Sequence, residues 1–356
     1  MAEYWLKYGN VEIPVEIDDE VRVEKISIEP NIRYDHNVIS RLIDELADNK
    51  SISIVYDHSS SKDLELLRSF LAELEARGFE DHRIKLLASS WRIDGDTLEE
   101  VLGEALKSHR GGIVYPWSED KVELKNVKVS RSIAEASSRV IVTSIIPHGV
   151  IGIPSLRESL LLNKWITGIE DVDAYRSILE DELRFLGLVI GGDTIYSGDI
   201  DEVEEECRRK VEKTYTVKIG DVVEMVLVDA GGWPWDSTLE SSLHMVGLVS
   251  QTIVEGGLIG LVAECRKALG SVKFVEALFS QNASGDTLSE KILKMVRELA
   301  EVKKLALVTT IPRSVLDKTL NARGFDTPQE LLTYGFRMYS KQAKVRIVSG
   351  YVKLTR

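Results

Sequence analysis

The stretch RVIVTSIIPHG (139–149) decides the fold. Its first eight residues are mostly apolar and rich in β-branched side chains. They predict a strand covered on both faces, as in the middle of a parallel sheet. Outward from it, strands and helices take turns. SISIVY (51–56) and IKLLAS (84–89) read as strands. Asn37 is read as the cap of an amphipathic helix with Val38, Leu42, Ile43 and Leu46 on one stripe. KDLELLRSFLAELEARG (62–78) reads as a helix closed by Gly78, and 96–109 as one opened by Asp96, with Glu99 completing a capping box. ESLLLNKW (158–165) and AYRSILEDELRFLG (174–187) supply further helices. The first thirty residues alternate with a period of two and predict a hairpin or small meander turning at Gly9-Asn10.

A charged helix, GDIDEVEEECRRKVEK (198–213), leads into a second α/β block. There DVVEMVLVDAGG (221–232), LIGLVAEC (258–265), LALVTT (305–310) and VRIVSG (345–350) read as strands, and 236–257 as a helix closed by Gly256-Gly257. The fold class expected is α/β: two Rossmann-like doubly wound domains, 1–205 and 206–356, with an active-site cleft between them. The length of 356 residues, at ~150 per domain, agrees with two.

Composition narrows the function. Forty-five basic residues against 58 acidic ones leave −13, which excludes a general binder of nucleic acid or of anionic membrane. No apolar run approaches the ~18 residues of a membrane span. Two cysteines, Cys207 and Cys265, are too few for a disulfide framework or a multi-cysteine zinc site. The opening MAEYWLKYGN lacks a secretory apolar stretch, so a reduced, cytoplasmic protein is expected. Few glutamines beside 29% charged residues point to a heat-adapted source.

In open parallel sheets ligands sit outside the carboxyl ends of the strands. Four loops there are polar: Asp57-His58-Ser59-Ser60-Ser61-Lys62, Ser90-Trp91-Arg92, Pro147-His148-Gly149 and Gly231-Gly232-Trp233-Pro234-Trp235-Asp236. Each also has a structural reading. The serines can cap the next helix, His58 can be an exposed loop histidine, and His244 a core or satisfied surface histidine near Glu240. Gly231-Gly232 lets backbone N–H groups approach an anionic ligand or the neighbouring domain. Trp233 and Trp235 read as domain-interface aromatics. No G-x-G-x-x-G follows a strand, and no Walker A, G-x-S-x-G or H-x-x-x-H occurs, so dinucleotide and P-loop chemistry are unsupported.

These loops, in this order, resemble the nickel-pincer lactate racemase family (LarA-like proteins). The resemblance rests on VIVTSIIPHGVIG (140–152), DAGGWPWD (229–236) with VEGGLIGLVAEC (254–265), and LVIGGDTIYSGDIDEVEEECRRKVEK (188–213). It implies a hydride relay. A nickel ion in a pyridinium-derived pincer, tethered through a lysine thioamide, takes the hydride from Cα of a 2-hydroxy acid. Two histidines on opposite faces act as bases. His148 falls on one of these histidines. The other position is Trp91, ahead of Arg92. Asp57 matches the acid of an Asp-x-x-Arg loop whose arginine is Ser60. The tether segment is Ser155-Leu156-Arg157-Glu158, with Glu158 at the lysine, and no histidine lies between His148 and His244 to bind nickel. The family's substrate contacts fall near Ser241 and His244.

The resemblance therefore implies a racemase- or epimerase-type isomerase by ancestry, acting on a 2-hydroxy acid or related small carboxylate, with an altered or absent cofactor. The residues assigned are His148, Asp57 and His58 for catalysis, and Ser59, Ser60, Trp91, Arg92, Arg157, Gly231, Gly232, Asp236, Ser241 and His244 for substrate. No metal ligand is assigned, and a homo-oligomer is allowed. The alternative is a non-catalytic homologue that binds an anionic metabolite as sensor or scaffold. A third reading is a hydrolase or lyase using His148 with Asp57.

Overall fold

The computed structural model describes residues 1–106, 112–125, 127–168, 182–280 and 285–356. β1 (Ala2–Tyr8) and β2 (Val11–Ile17) pair antiparallel, with Tyr8 opposite Val11 across the Gly9-Asn10 turn. β3 (Val23–Ser27) follows, then α1 (His36–Leu46), β4 (Ile52–Asp57), α2 (Ser61–Ala76), β5 (Ile84–Ser89) and α3 (Gly95–Ala105). After β6 (Ile113–Val114), the strands β7 (Lys121–Leu124) and β8 (Val127–Ser130) and the short α4 (Arg131–Ala134) precede β9 (Ser138–Ile145). Next come α5 (Leu156–Leu162), β10 (Ile166–Thr167), β11 (Leu186–Gly191), β12 (Thr194–Asp199) and α6 (Ile200–Tyr215). The remainder is β13 (Thr216–Lys218), β14 (Val223–Asp229), α7 (Leu239–Val249), β15 (Ile253–Val262), α8 (Val272–Phe279), α9 (Leu288–Val302), β16 (Lys304–Val308), α10 (Arg313–Leu320), β17 (Ala322–Phe325), α11 (Pro328–Tyr339), β18 (Val345–Ser349) and β19 (Lys353–Thr355).

The helix expected over 174–187 falls largely outside the described residues, and so does the end of the one expected over 96–109. Two caps differ from expectation. Asp35 rather than Asn37 caps α1, and Asp94 rather than Asp96 caps α3, accepting from the N–H groups of Asn37 and Thr97. The helix expected to run to Gly256-Gly257 ends at Val249, and both glycines lie inside β15. β-branched Ile253 and Val254 favour the extended chain, and Ile253 pairs with Val223 of β14. Among the described residues no helix is long and apolar enough to cross a membrane.

The chain divides into two units, one of residues 1–29, 147–152 and 215–356, the other of 30–146 and 153–214. A division at 205/206 is therefore corrected at the N-terminus. β3 is the edge strand of the C-terminal sheet, in parallel register with β18, and Glu24 lies opposite Arg346. The buried guanidinium of Arg346 donates to Glu24 (2.7 Å) and to the Thr252 carbonyl (3.2 Å), which ties the early strand in. A period-two pattern predicts a strand but carries no information on which sheet it joins.

Both units are doubly wound. In the C-terminal unit the sheet order is β17-β16-β15-β14-β18-β3, all parallel. Val226 and Val228 of β14 pack into a core with residues of α7, α8, α9 and α10, while Met225 and Leu227 face the β1–β2 hairpin and α11. The other unit has the order β12-β11-β9-β4-β5-β6, parallel except for the β11–β12 pair. β4 is buried along its whole length, and β9 from Arg139 to Ile145, as the apolar run at 139–146 predicts.

Candidate functional site

The strand orders locate the crevices. From β4 the chain winds outward through β5 to β6, then returns to the other side of β4 with β9. From β14 it winds through β15, β16 and β17, then returns beside β14 with β18. The order reverses between β4 and β9 in one unit, and between β14 and β18 in the other. At such switch points the loops diverge and leave room for a ligand.

In the N-terminal sheet unit, Asp57 ends β4 and the next residues turn into α2. The His58 N–H donates to the Ser89 carbonyl (2.8 Å) and the Ser90 hydroxyl to the His58 carbonyl (2.7 Å), so the ends of β4 and β5 are tied together. His58 is not an exposed loop histidine: it is 1% exposed. Its Nδ1 lies 2.6 Å from the Tyr56 hydroxyl and 3.2 Å from Asp63 Oδ1, and that hydroxyl is 2.7 Å from the same Asp63 oxygen. Asp63 Oδ2 accepts the N–H groups of Ser59 (2.8 Å) and Ser60 (2.7 Å). Burial, with the Asp63 charge beside it, holds the Tyr56 phenol well above its ordinary pKa, so it keeps its proton. The hydroxyl donates to Asp63 and accepts from Nδ1–H of His58. With Nδ1–H so engaged, Nε2 is the acceptor of the ring in its neutral form.

Asp57 is buried beside this chain. Ser159 donates to its Oδ2 at 2.6 Å and Ser59 at 3.4 Å, while Oδ1 has no hydrogen bond among the described residues. Burial raises the Asp57 pKa against the lowering by Ser159, Asn163 and Arg92. Arg92, also buried, donates to the Ile146 carbonyl (2.9 Å) and lies over the Trp91 ring at 4.3 Å. Ser60 caps α2, and its hydroxyl is 2.8 Å from that of Ser144. Arg157 pairs with Asp201 at 2.5 Å.

The raised Asp57 pKa has a stability consequence. The protonated form is favoured in the fold, so the contribution of Asp57 is present below the ordinary carboxyl value of 3.8 and lost as pH rises through the higher folded value. Asp57→Asn is therefore expected to raise the melting temperature at pH 7, by about 1 kcal/mol of stability. The gap to wild type should close as the pH falls towards about 4. Thermal melts across that range check this, and a gap independent of pH contradicts it.

In the other unit, His148 lies on the segment 147–152, held by reciprocal backbone bonds between His148 and Gly152 (2.7 and 2.9 Å). Its ring stacks on His244 of α7, with centroids 4.1 Å apart and planes 21° apart, and His244 faces Tyr351 at 6.1 Å and 2°. Both histidines are buried. The N–H groups of Val150 and Ile151 point at His148 Nδ1 (3.2 and 3.4 Å), and that of Gly149 at His244 Nδ1 (3.5 Å). A backbone N–H can only donate, so each neutral ring carries its proton on Nε2. The pair presents donors where His58 presents an acceptor.

Several residues assigned to substrate have internal work. Gly231 and Gly232 both adopt positive φ (92° and 74°). The Gly231 N–H bonds Asp229, and a Cβ at 232 would lie 2.9 Å from the Gly9 carbonyl oxygen. What approaches Gly232 is the hairpin turn, while Gly231 faces Trp235 and Tyr351. Asp236 Oδ2 accepts the N–H groups of Gly9 (2.6 Å) and Glu264 (3.0 Å). Ser241 completes the capping box of α7 with Thr238. Trp233 lies under the Arg266 guanidinium at 3.4 Å, and Trp235 packs edge-on to Tyr351. Tyr56, Asp63, Ser159 and Tyr351 escaped the sequence reading. Ser60 with Asp63 three residues on, before an apolar run, is a capping-box signal that could have drawn attention to Asp63.

The residues present do not fit a tethered nickel pincer. Glu158, at the lysine position, is exposed and closes the capping box of α5 through Ser155, and a carboxylate forms no thioamide. Among the described residues no three His, Cys, Asp or Glu side chains converge as a metal site.

No family model and no curated protein matches the chain. Solved structures do. The lactate racemase apoprotein of Thermoanaerobacterium thermosaccharolyticum superposes with a TM-score of 0.72 at 16% identity, covering all of both chains. A protein of Thermotoga maritima gives 0.61 at 12% identity, over 92% of this chain and all of its own. The fold is that of the lactate racemase apoprotein.

Proposed function

We propose that this chain is a racemase- or epimerase-type isomerase by descent that acts on a 2-hydroxy acid or related small carboxylate without the tethered nickel pincer. The observation that carries the reading is the buried Asp63–Tyr56–His58 chain at the carboxyl end of β4. A carboxylate fixed by two backbone N–H groups orients a phenol, and the phenol orients an imidazole. His58 Nε2 is then the atom that takes the proton from Cα of the substrate and, as Nε2–H, returns it to the planar enediolate that this leaves, and the third group in the line fixes its tautomer. Arg92 supplies the positive charge for the carboxylate, a role suited to a planar guanidinium. Asp57, whose pKa burial raises, lies beside them as a further hydrogen-bonding group.

The test uses protein as purified and a panel of enantiopure 2-hydroxy acids, with chiral chromatography of the products. Interconversion is expected for at least one acid, falling about 100-fold or more in His58→Gln. A second reading, carboxylate binding without turnover, draws on the stacked imidazoles, whose Nε2–H groups are donors rather than bases. It predicts thermal stabilisation by the acid, no product, and weaker stabilisation in His148→Ala. Neither product nor stabilisation with any acid removes both readings.

A further inference from the structure

The C-terminal unit carries a concavity along the edge strand β17 of its sheet, three strands away from β14. It has a volume of about 570 Å3 and is lined from the end of α9, the amino end of β16, one side of α10 and the edge strand β17. That volume is in the range of small-molecule pockets. Four cations line it, Lys303, Lys304, Arg313 and Arg323, against one acid, Asp317. In a chain of net charge −13 such a cluster is against the composition.

Most of this charge is not neutralised internally. Of the four, only Arg313 has a carboxylate partner within ion-pair distance among the described residues, chiefly Asp326 at 2.6 Å. The Lys303 ammonium donates to the carbonyls of Ile253 (2.7 Å) and Val254 (2.8 Å), and the Glu255 carboxylate is near it, outside ion-pair distance. Arg323 lies over the rings of Tyr334 (4.4 Å) and Phe325 (5.6 Å). Stacking of this kind fixes the guanidinium plane and leaves its N–H edge for a bidentate acceptor. Like charges held close together repel unless an anion completes the set.

We propose that this cavity binds a small polyanion carrying two or more phosphate groups. Lys304 and Arg323, with Lys303 beside them, match more than one phosphate, and Arg323 matches the oxygen pair of a single phosphate. The site does not depend on the isomerase reading.

Isothermal titration calorimetry with pyrophosphate, tripolyphosphate, ATP and orthophosphate tests it on the full chain. Pyrophosphate or tripolyphosphate is expected to bind at least about tenfold more tightly than orthophosphate, and more weakly as salt is raised. The double variant Lys304→Gln, Arg323→Gln should lose about tenfold or more of that affinity. Both side chains are exposed, so the fold should be retained. Asp317→Asn, which removes the one opposing charge, should tighten binding. ATP equal to tripolyphosphate means that phosphate alone is read, and ATP tighter means that the nucleoside is read as well; either supports the site. No saturable heat with any probe, affinity no better than that of orthophosphate, or affinity unchanged in the double variant overturns it.

Discussion

Asp63→Asn is expected to leave the fold intact and to cut turnover of the 2-hydroxy acid by about 10³-fold or more. The asparagine carbonyl can still accept the N–H groups of Ser59 and Ser60, so the start of α2 keeps its cap. Its amide group, however, faces the Tyr56 hydroxyl where a carboxylate oxygen stood 2.7 Å away. That hydroxyl must then accept from the amide and donate to His58 Nδ1. The imidazole proton moves to Nε2, and the base becomes a donor. A direct readout needs no substrate: long-range ¹⁵N–¹H correlations of His58 should report an Nδ1–H ring in wild type and an Nε2–H ring in the variant. An unchanged tautomer, or a turnover rate within about threefold of wild type, contradicts the assigned relay.

Gly149→Ala should be the most disruptive single-methyl change near the stacked histidines. A Cβ there would lie 1.8 Å from the His244 carbonyl oxygen and 3.2 Å from the Gly247 Cα. Gly247 is small for the reciprocal reason, since its own Cβ would lie 2.5 Å from the Gly149 carbonyl oxygen. Both obstacles are backbone, which cannot swing aside as a side chain would, so the segment 147–152 and α7 must part. Overpacking of this kind costs about 3 kcal/mol, or of the order of 5–10 °C in melting temperature. The stack of His148 on His244 should be lost with it, and the ring-current shifts of both imidazoles in proton spectra should collapse. Unchanged melting and unchanged ring shifts would mean that the close approach is no constraint. The contrast with Gly78 is instructive, because nothing lies within 4 Å of its Cβ position and its role is conformational, at φ 81°.

Much of the fold was legible in local pattern. β5 spans the six residues read as a strand, and the hairpin turns at the predicted Gly9-Asn10. The apolar run at 139–146 led to a central parallel strand, because only a strand covered on both faces can dispense with polar positions. Where the reading failed, two local signals competed. Gly256-Gly257 resembles a helix stop, but the β-branched pair before it already belongs to β15. His58 looked like an exposed loop residue because its partners are not visible in loop composition. Tyr56 is a strand residue and Asp63 a residue of the first turn of α2, and only the turn between them brings the three together.

From the amino-acid order alone came the α/β alternation, and with it the loops at the carboxyl ends of the strands that form the two switch points. Hydrophobic period and turn chemistry act over a few residues, so they can be read without coordinates. The tertiary structure alone decided that β3 and the segment 147–152 fold with the C-terminal sheet. It alone placed the Tyr56 hydroxyl at Nδ1 of His58 and backbone N–H groups at Nδ1 of His148 and His244, partners that call for opposite tautomers. An imidazole proton goes where its hydrogen-bond partner requires, and Gly149 and His244, 95 positions apart in the chain, are brought together only by folding.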